Sequence, residues 1–271
     1  MPTVDATSNM VIVLSLIAPL FSVLTEAEYG DLAKIAEQPE VPAAVAALAD
    51  GEGGATVRSA AEGAAHAGGT AAASYGEPWG GAAGSPVANA VALPSWEVRS
   101  TLQNEVLLPG MPLAALPVES LYKPWSSAPG NAFGAQRGLY LGDAARHLQS
   151  VYATLQIEVP ARFAATPDHL ALTLDLLALF LQNGNRQAAA DVARDHLDWL
   201  DDYDAALARS ADGAARSERL DGARRAALAE GIAHLRALVA LAGRAARAAQ
   251  PALSAQAAPG EMQPTASAAT G

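Results

Sequence analysis

The chain is 271 residues long, enough for one large domain or two small ones; 51% of it is hydrophobic, yet only 5% is aromatic. A formal net charge of −11 makes nucleic acid a poor partner, since affinity there rests on Lys and Arg neutralising phosphates. The lack of any cysteine excludes disulfides, thiolate chemistry and Cys-ligated zinc. An acidic surface suits a basic peptide or a basic partner face, and it serves plain solubility equally well.

Alanine supplies much of the apolar fraction and is the best helix former, so the Leu/Ala-rich segments read as helix and no segment reads as a series of alternating strands. The first block spans about 9–48. Ile12, Leu16, Leu20 and Val23, then Tyr29, Leu32 and Ile35, fall at helical spacing. The pattern breaks near Thr25, where Thr25-Glu-Ala-Glu28 has the form of a capping box. The apolar run Met10–Leu24 has no Lys or Arg before it, is shorter than the roughly 20 residues a bilayer needs, and is interrupted by Pro19. It is therefore expected to be a buried first helix of an unexported, cytoplasmic protein with no membrane insertion. A helix over Val41–Ala49 follows Pro39.

Residues 50–94 are dominated by Gly, Ala and Ser and hold too few large apolar side chains to offset their ordering entropy. They read as a flexible insertion within a domain spanning 9–249, with transient helix near 57–65. Residues 216–249 read as one long Ala/Arg helix with a stripe at Leu220, Leu228, Ile232, Leu235 and Val239. Residues 250–271 read as a disordered tail.

The stretch 95–207 carries the chemistry. Leu170–Leu181 is apolar on nearly every face, as in the central helix of a bundle. Thr166 is expected to cap it, with Pro167 at its first position, Asp168 near the positive end of its dipole, and Asn183-Gly184 closing it. Asp168 and His169 either cap and pack, or bind something polar or cationic at the mouth of a cleft. A helix from Arg186 to about Leu207 would place Asp191, Asp195, Asp198 and Asp202 on one face, flanked by Asp201 and Asp204. That face is either solvated or a docking stripe for an Arg-containing peptide. Upstream, Pro117–Trp125 mixes Tyr122 and Trp125 with Glu119 and Lys123 before a Gly/Ser/Pro loop, forming either a peptide cleft or a set of loop anchors. No phosphate loop, G-x-S-x-G or H-E-x-x-H occurs, and the five histidines are scattered singly without metal-ligand spacing.

The order Glu-Ser-Leu-Tyr-Lys-Pro-Trp (119–125), Gly138–Gly142, Val151-Tyr152, Pro167-Asp-His-Leu170 and His196-Leu-Asp-Trp-Leu200 resembles the TorD/DmsD/NarJ family of redox-enzyme maturation chaperones. The likeness covers about Trp96–Leu207. Thr173 stands where many relatives carry Glu, and the His196–Trp199 spacing is one residue short of the usual element.

The resemblance implies an all-α domain of about ten helices; with no enzyme signature in the residues the chain is expected to be no enzyme and to hold no cofactor, as a monomer or a dimer. It implies a partner: the precursor of a molybdopterin oxidoreductase catalytic subunit, bound through its twin-arginine leader and as the apo-protein. It places Asp168, His169 and Pro167 in the leader cleft, with Glu119 and Tyr122 nearby; Trp125, Asp198 and Asp202 join them from the residue pattern. The other reading is a helical scaffold without leader binding.

Overall fold

The computed structural model describes residues 5–50 and 91–250. The transient helix near 57–65, most of the expected insertion and the tail beyond 250 lie outside the described residues. The all-α expectation is met, with nine α-helices and no strand among the described residues.

Helix α1 (Ala6–Ile17) starts at Asp5, whose carboxylate accepts the Ser8 N–H at 2.7 Å, and runs into a 3-10 turn over Ala18–Phe21. Val13, Leu14, Ile17, Leu20 and Phe21 are all buried, so this apolar run is a core helix as expected. Helix α2 (Glu26–Ala36) carries the full capping box, with Thr25 and Glu28 exchanging bonds. Helix α3 spans Glu40–Asp50.

Described chain resumes at Val91, which packs with Leu93 against Leu16, Ala36 and Val41. Helix α4 (Trp96–Val106) then staples the first block in place. Buried Arg99 donates to the carbonyls of Leu20, at 2.8 Å, and Ser22. One turn later Gln103 makes both bonds to Leu24, accepting its N–H at 3.1 Å and donating to its carbonyl at 3.0 Å. These two side chains satisfy backbone groups that the Ala18–Leu24 turn leaves unpaired in the core. Burial pulls the Arg99 guanidinium down to about 10.

Helices α5 (Asp143–Thr154), α6 (Leu170–Gln182), α7 (Arg186–His196), α8 (Leu200–Arg216) and α9 (Gly222–Ala249) complete the bundle. The apolar α6 packs against α1, α7 and the Ala18–Phe21 turn, as its all-round pattern predicts. Helix α9 packs against α4, α7 and α8. It is long and apolar enough to cross a membrane, but 50% of its apolar window is buried inside the bundle, as in a core helix.

Three expected boundaries change. Helix α6 begins at Leu170 with His169 as its N-cap, leaving Thr166–Asp168 in the preceding turn. The helix expected over Arg186–Leu207 breaks between His196 and Leu200, and burying Trp199 beside Tyr122 takes up the bend. The helix expected from Arg216 is interrupted at Ser217–Asp221, where Asp221 caps α9 by accepting the Arg224 N–H.

Candidate functional site

The segment 117–120 crosses the entry to α6 and pairs with it. Val118 and His169 form an isolated antiparallel bridge, the Leu170 N–H reaches the Pro117 carbonyl at 2.8 Å, and the Glu119 N–H reaches the Asp168 carbonyl at 3.1 Å. The Asp168 side chain is 0% exposed. Its Oδ2 accepts the Ser120 N–H at 2.7 Å and the Ser120 hydroxyl, whose oxygen in turn accepts the Gly142 N–H at 3.2 Å. Gly142 sits so close to the Trp125 backbone that an added Cβ would lie 2.8 Å from its carbonyl oxygen. Asp168 therefore sews together the α6 entry, the Ser120 turn and the start of α5. Pro167 is buried beside it.

Glu119, also 0% exposed, is the second hub. Its Oε2 lies 2.9 Å from His196 Nδ1, and its Oε1 lies 2.9 Å from Lys123 Nζ. His196 Nε2 is 2.8 Å from Nδ1 of the exposed His147. Lys123 also pairs with Asp198 at 2.5 Å and donates to the Asp195 carbonyl at 2.7 Å. Burial pulls the Lys123 ammonium down, but the Glu119 and Asp198 carboxylates outweigh it and hold it above the ordinary lysine value. Tyr122 is half-buried, stacked on Trp199 at 5.1 Å, with its hydroxyl donating to the Leu116 carbonyl at 3.0 Å.

His169 accepts the Ala171 N–H on Nδ1 at 3.2 Å and packs against Phe163 with ring centroids 4.7 Å apart. Burial first, and Arg162 second, lower its pKa to about 4, so it is neutral at pH 7. The aspartates are not a bare stripe. Asp191 and Asp195 share Arg194 at 2.9 and 2.8 Å, Asp198 takes Lys123, and Asp202 takes Arg137 at 3.1 Å. The chain's own cations thus relieve the like charges that the spacing brings together.

One patch carried no signal at helical or strand period. Phe133, Tyr140 and Leu141 are 52%, 41% and 42% exposed on the loop between Trp125 and α5. Trp125 meets Phe133 edge-on at 6.1 Å, donates its indole N–H to the Tyr140 carbonyl at 2.9 Å, and lies under the Arg146 guanidinium at 4.7 Å. Leu141 holds φ +59°, a left-handed conformation unusual for a branched side chain. The loop is tied down on both sides, through Arg137–Asp202 and through the Asp168 hub, so these apolar side chains stand on a fixed base. In the sequence, Tyr140 and Leu141 stood only inside the Gly138–Gly142 element of the resemblance, and Phe133 only as an isolated large residue in a Gly/Pro-rich loop. Among the described residues no group of three His, Asp or Glu side chains could hold a metal.

Residues 106–211 match the family model described as nitrate reductase delta subunit. The match bears out the resemblance read from the motif order and covers the site loop, α5, α6, α7 and most of α8. Neither curated proteins nor solved structures give a match.

Proposed function

We propose that this chain, a member over residues 106–211 of the nitrate reductase delta subunit family, binds the twin-arginine leader and the apo form of a molybdopterin oxidoreductase catalytic subunit in the cytoplasm before export. The family match supports the coarser part of this reading, a molybdoenzyme maturation chaperone rather than a catalyst. The observation that carries the finer part is the exposed Phe133–Tyr140–Leu141 patch beside Trp125, on a loop held by the buried Asp168–Ser120 contact and by the Arg137–Asp202 pair. Exposed apolar side chains gathered on one loop around Trp125 suit a partner surface on an otherwise acidic protein.

The eight residues singled out in the sequence divide into two roles. Asp168, His169, Pro167, Glu119 and Tyr122 hold the loop in position. Trp125, Asp198 and Asp202 stand at its edge, where Lys123 and Arg137 are exchangeable for a client's arginines.

Calorimetry of the full chain with a twin-arginine leader peptide, and separately with an apo-catalytic subunit, tests this. Micromolar or tighter binding is expected. Changing both leader arginines to glutamine weakens the first, and Phe133→Ser weakens the second. A folded protein that binds neither would be a helical scaffold instead.

A further inference from the structure

Helix α5 continues directly from the exposed patch, since Tyr140 and Leu141 lead into it at Asp143. It packs chiefly against the Glu119–Leu121 turn, with Leu148 and Tyr152 buried. Beyond its first turn, its one side-chain tie to another helix among the described residues is His147 to His196, at the end of α7. The two rings are stacked with centroids 4.9 Å apart.

The contacts limit how many protons this pair can hold. The Glu119 carboxylate, paired with Lys123, only accepts, so the hydrogen in its 2.9 Å contact sits on His196 Nδ1. His196 Nε2 and His147 Nδ1 face each other at 2.8 Å, with room for one hydrogen between them. Two states keep this bond. In one, both rings are neutral and His147 donates. In the other, the pair carries one proton more, on the remaining His147 nitrogen, Nε2. When both rings are charged, each presents an N–H to the other and the bond is lost.

The surrounding charges leave that clash in place. On the His196 side stand Glu119, Asp195 and Asp198, with Lys123 held between Glu119 and Asp198. Arg194 is taken up by Asp191 and Asp195. At the start of α5, Asp143 and Arg146 pair with each other; further along it, burial pushes the Tyr152 phenol up, so it stays neutral. Asp168, at the entry to α6, is held by Ser120. No carboxylate fits between nitrogens 2.8 Å apart, so the second charge separates the rings.

We infer that the His147–His196 pair is a proton-operated latch on the client surface: it holds α5 and the Phe133–Tyr140–Leu141 loop in place while at most one ring is charged, and releases them when both are. Histidine is the side chain that charges between about pH 5 and 8, so the latch works in that range. The released form binds one proton more than the latched form, so the latch weakens as the pH falls. Client docking that needs the fixed loop weakens with it. The inference rests on the proposed docking of the apo-client at this loop and adds its control by protons.

The test is calorimetry of the full chain with the apo-catalytic subunit at about pH 7.5 and about pH 5.5, for wild type, His147→Asn and His147→Phe. Asparagine places an amide N–H where Nδ1 stands, so it keeps the bond to His196 and does not titrate. Phenylalanine keeps a ring on the stack and loses the bond. Effects of pH on the client are common to all three proteins, so the difference between wild type and His147→Asn reads the latch. Wild-type affinity is expected to fall further than that of His147→Asn, by up to about tenfold, the ceiling for one proton taken up near pH 6.5. His147→Phe is expected to bind weakly at both pH values, with an unchanged helical spectrum.

Wild type and His147→Asn falling in parallel overturns the latch and leaves client docking intact. Absence of client binding by wild type at the higher pH removes the docking reading instead. The free protein then decides the latch. The NMR signals of Phe133, Tyr140 and Leu141 are expected to move with acid in wild type and to stay in His147→Asn, and equal behaviour of the two proteins overturns it.

Discussion

At the residue scale, the buried carboxylates Asp168 and Glu119 act through what they hold. Each sits at 0% exposure, and each joins segments far apart in the chain. Asp168→Ala would leave the Ser120 N–H and hydroxyl without their acceptor inside the protein. Bonds to a charged acceptor contribute roughly 1.5–3 kcal/mol each, and stranded buried donors add a desolvation cost. A loss of about 3 kcal/mol in urea denaturation is therefore expected, and Ser120→Ala combined with Asp168→Leu should lose stability as well, because the Ser120 and Gly142 N–H groups are then both left without an acceptor. A wild-type midpoint for Asp168→Ala would show that the hub does not hold the loop.

His169 gives a pH test at the same scale. Its folded-state pKa is about 4 against an ordinary 6.5, because burial disfavours the charged ring. The unfolded chain takes up the proton first, so this histidine removes stability as the pH falls from about 6.5 toward about 4, and removes no more below that. His169→Gln keeps an acceptor for the Ala171 N–H but does not titrate. Its stability relative to wild type should rise between pH 7 and pH 5, measured by denaturation at both values, and a constant difference would contradict the assigned environment.

At the element scale, α4 and α9 cross in close contact. A Cβ added to Gly231 would fall 3.0 Å from the Leu102 Cβ, with both helices in their middle turns. Helix propensity alone favours replacing this glycine, by about 1 kcal/mol. Packing opposes it, since overfilling a core crossing costs typically about 1–3 kcal/mol. Gly231→Leu should lower the melting temperature despite its better propensity, and a rise would mean the two helices separate freely. The break at Leu197–Trp199 belongs to this scale too. It turns one expected acidic face into two short ones and brings Trp199 onto Tyr122.

At the scale of the whole molecule, the formal net charge of −11 adds a long-range attraction for a cationic leader to the local contacts. Raising the salt from about 0.1 M to about 1 M shortens the screening length from about 10 Å to about 3 Å. Leader affinity should fall steeply across that range, while binding of the apo-client through the Phe133–Tyr140–Leu141 patch should hold or strengthen. Equal salt dependence of the two would argue against separate surfaces.

The sequence by itself determined the fold class, because helical period, alanine content and local caps are properties of neighbouring residues. The Thr25–Glu28 box, the buried Met10–Leu24 run and the central Leu170–Leu181 helix were all legible there, and so, through motif order, was the likeness that the family model matches over residues 106–211. The tertiary structure alone decided what the marked residues do. Asp168 caps no helix because Ser120, 48 positions away, reaches it first. The aspartates at 191, 195, 198 and 202 are paired because Arg194, Lys123 and Arg137 are folded onto them. The same holds for Arg99 and Gln103, which look like ordinary helix-surface residues until the Ala18–Leu24 turn arrives with unpaired backbone groups. A side chain's partner across such separations depends on how the helices stack, and local periodicity carries no record of that.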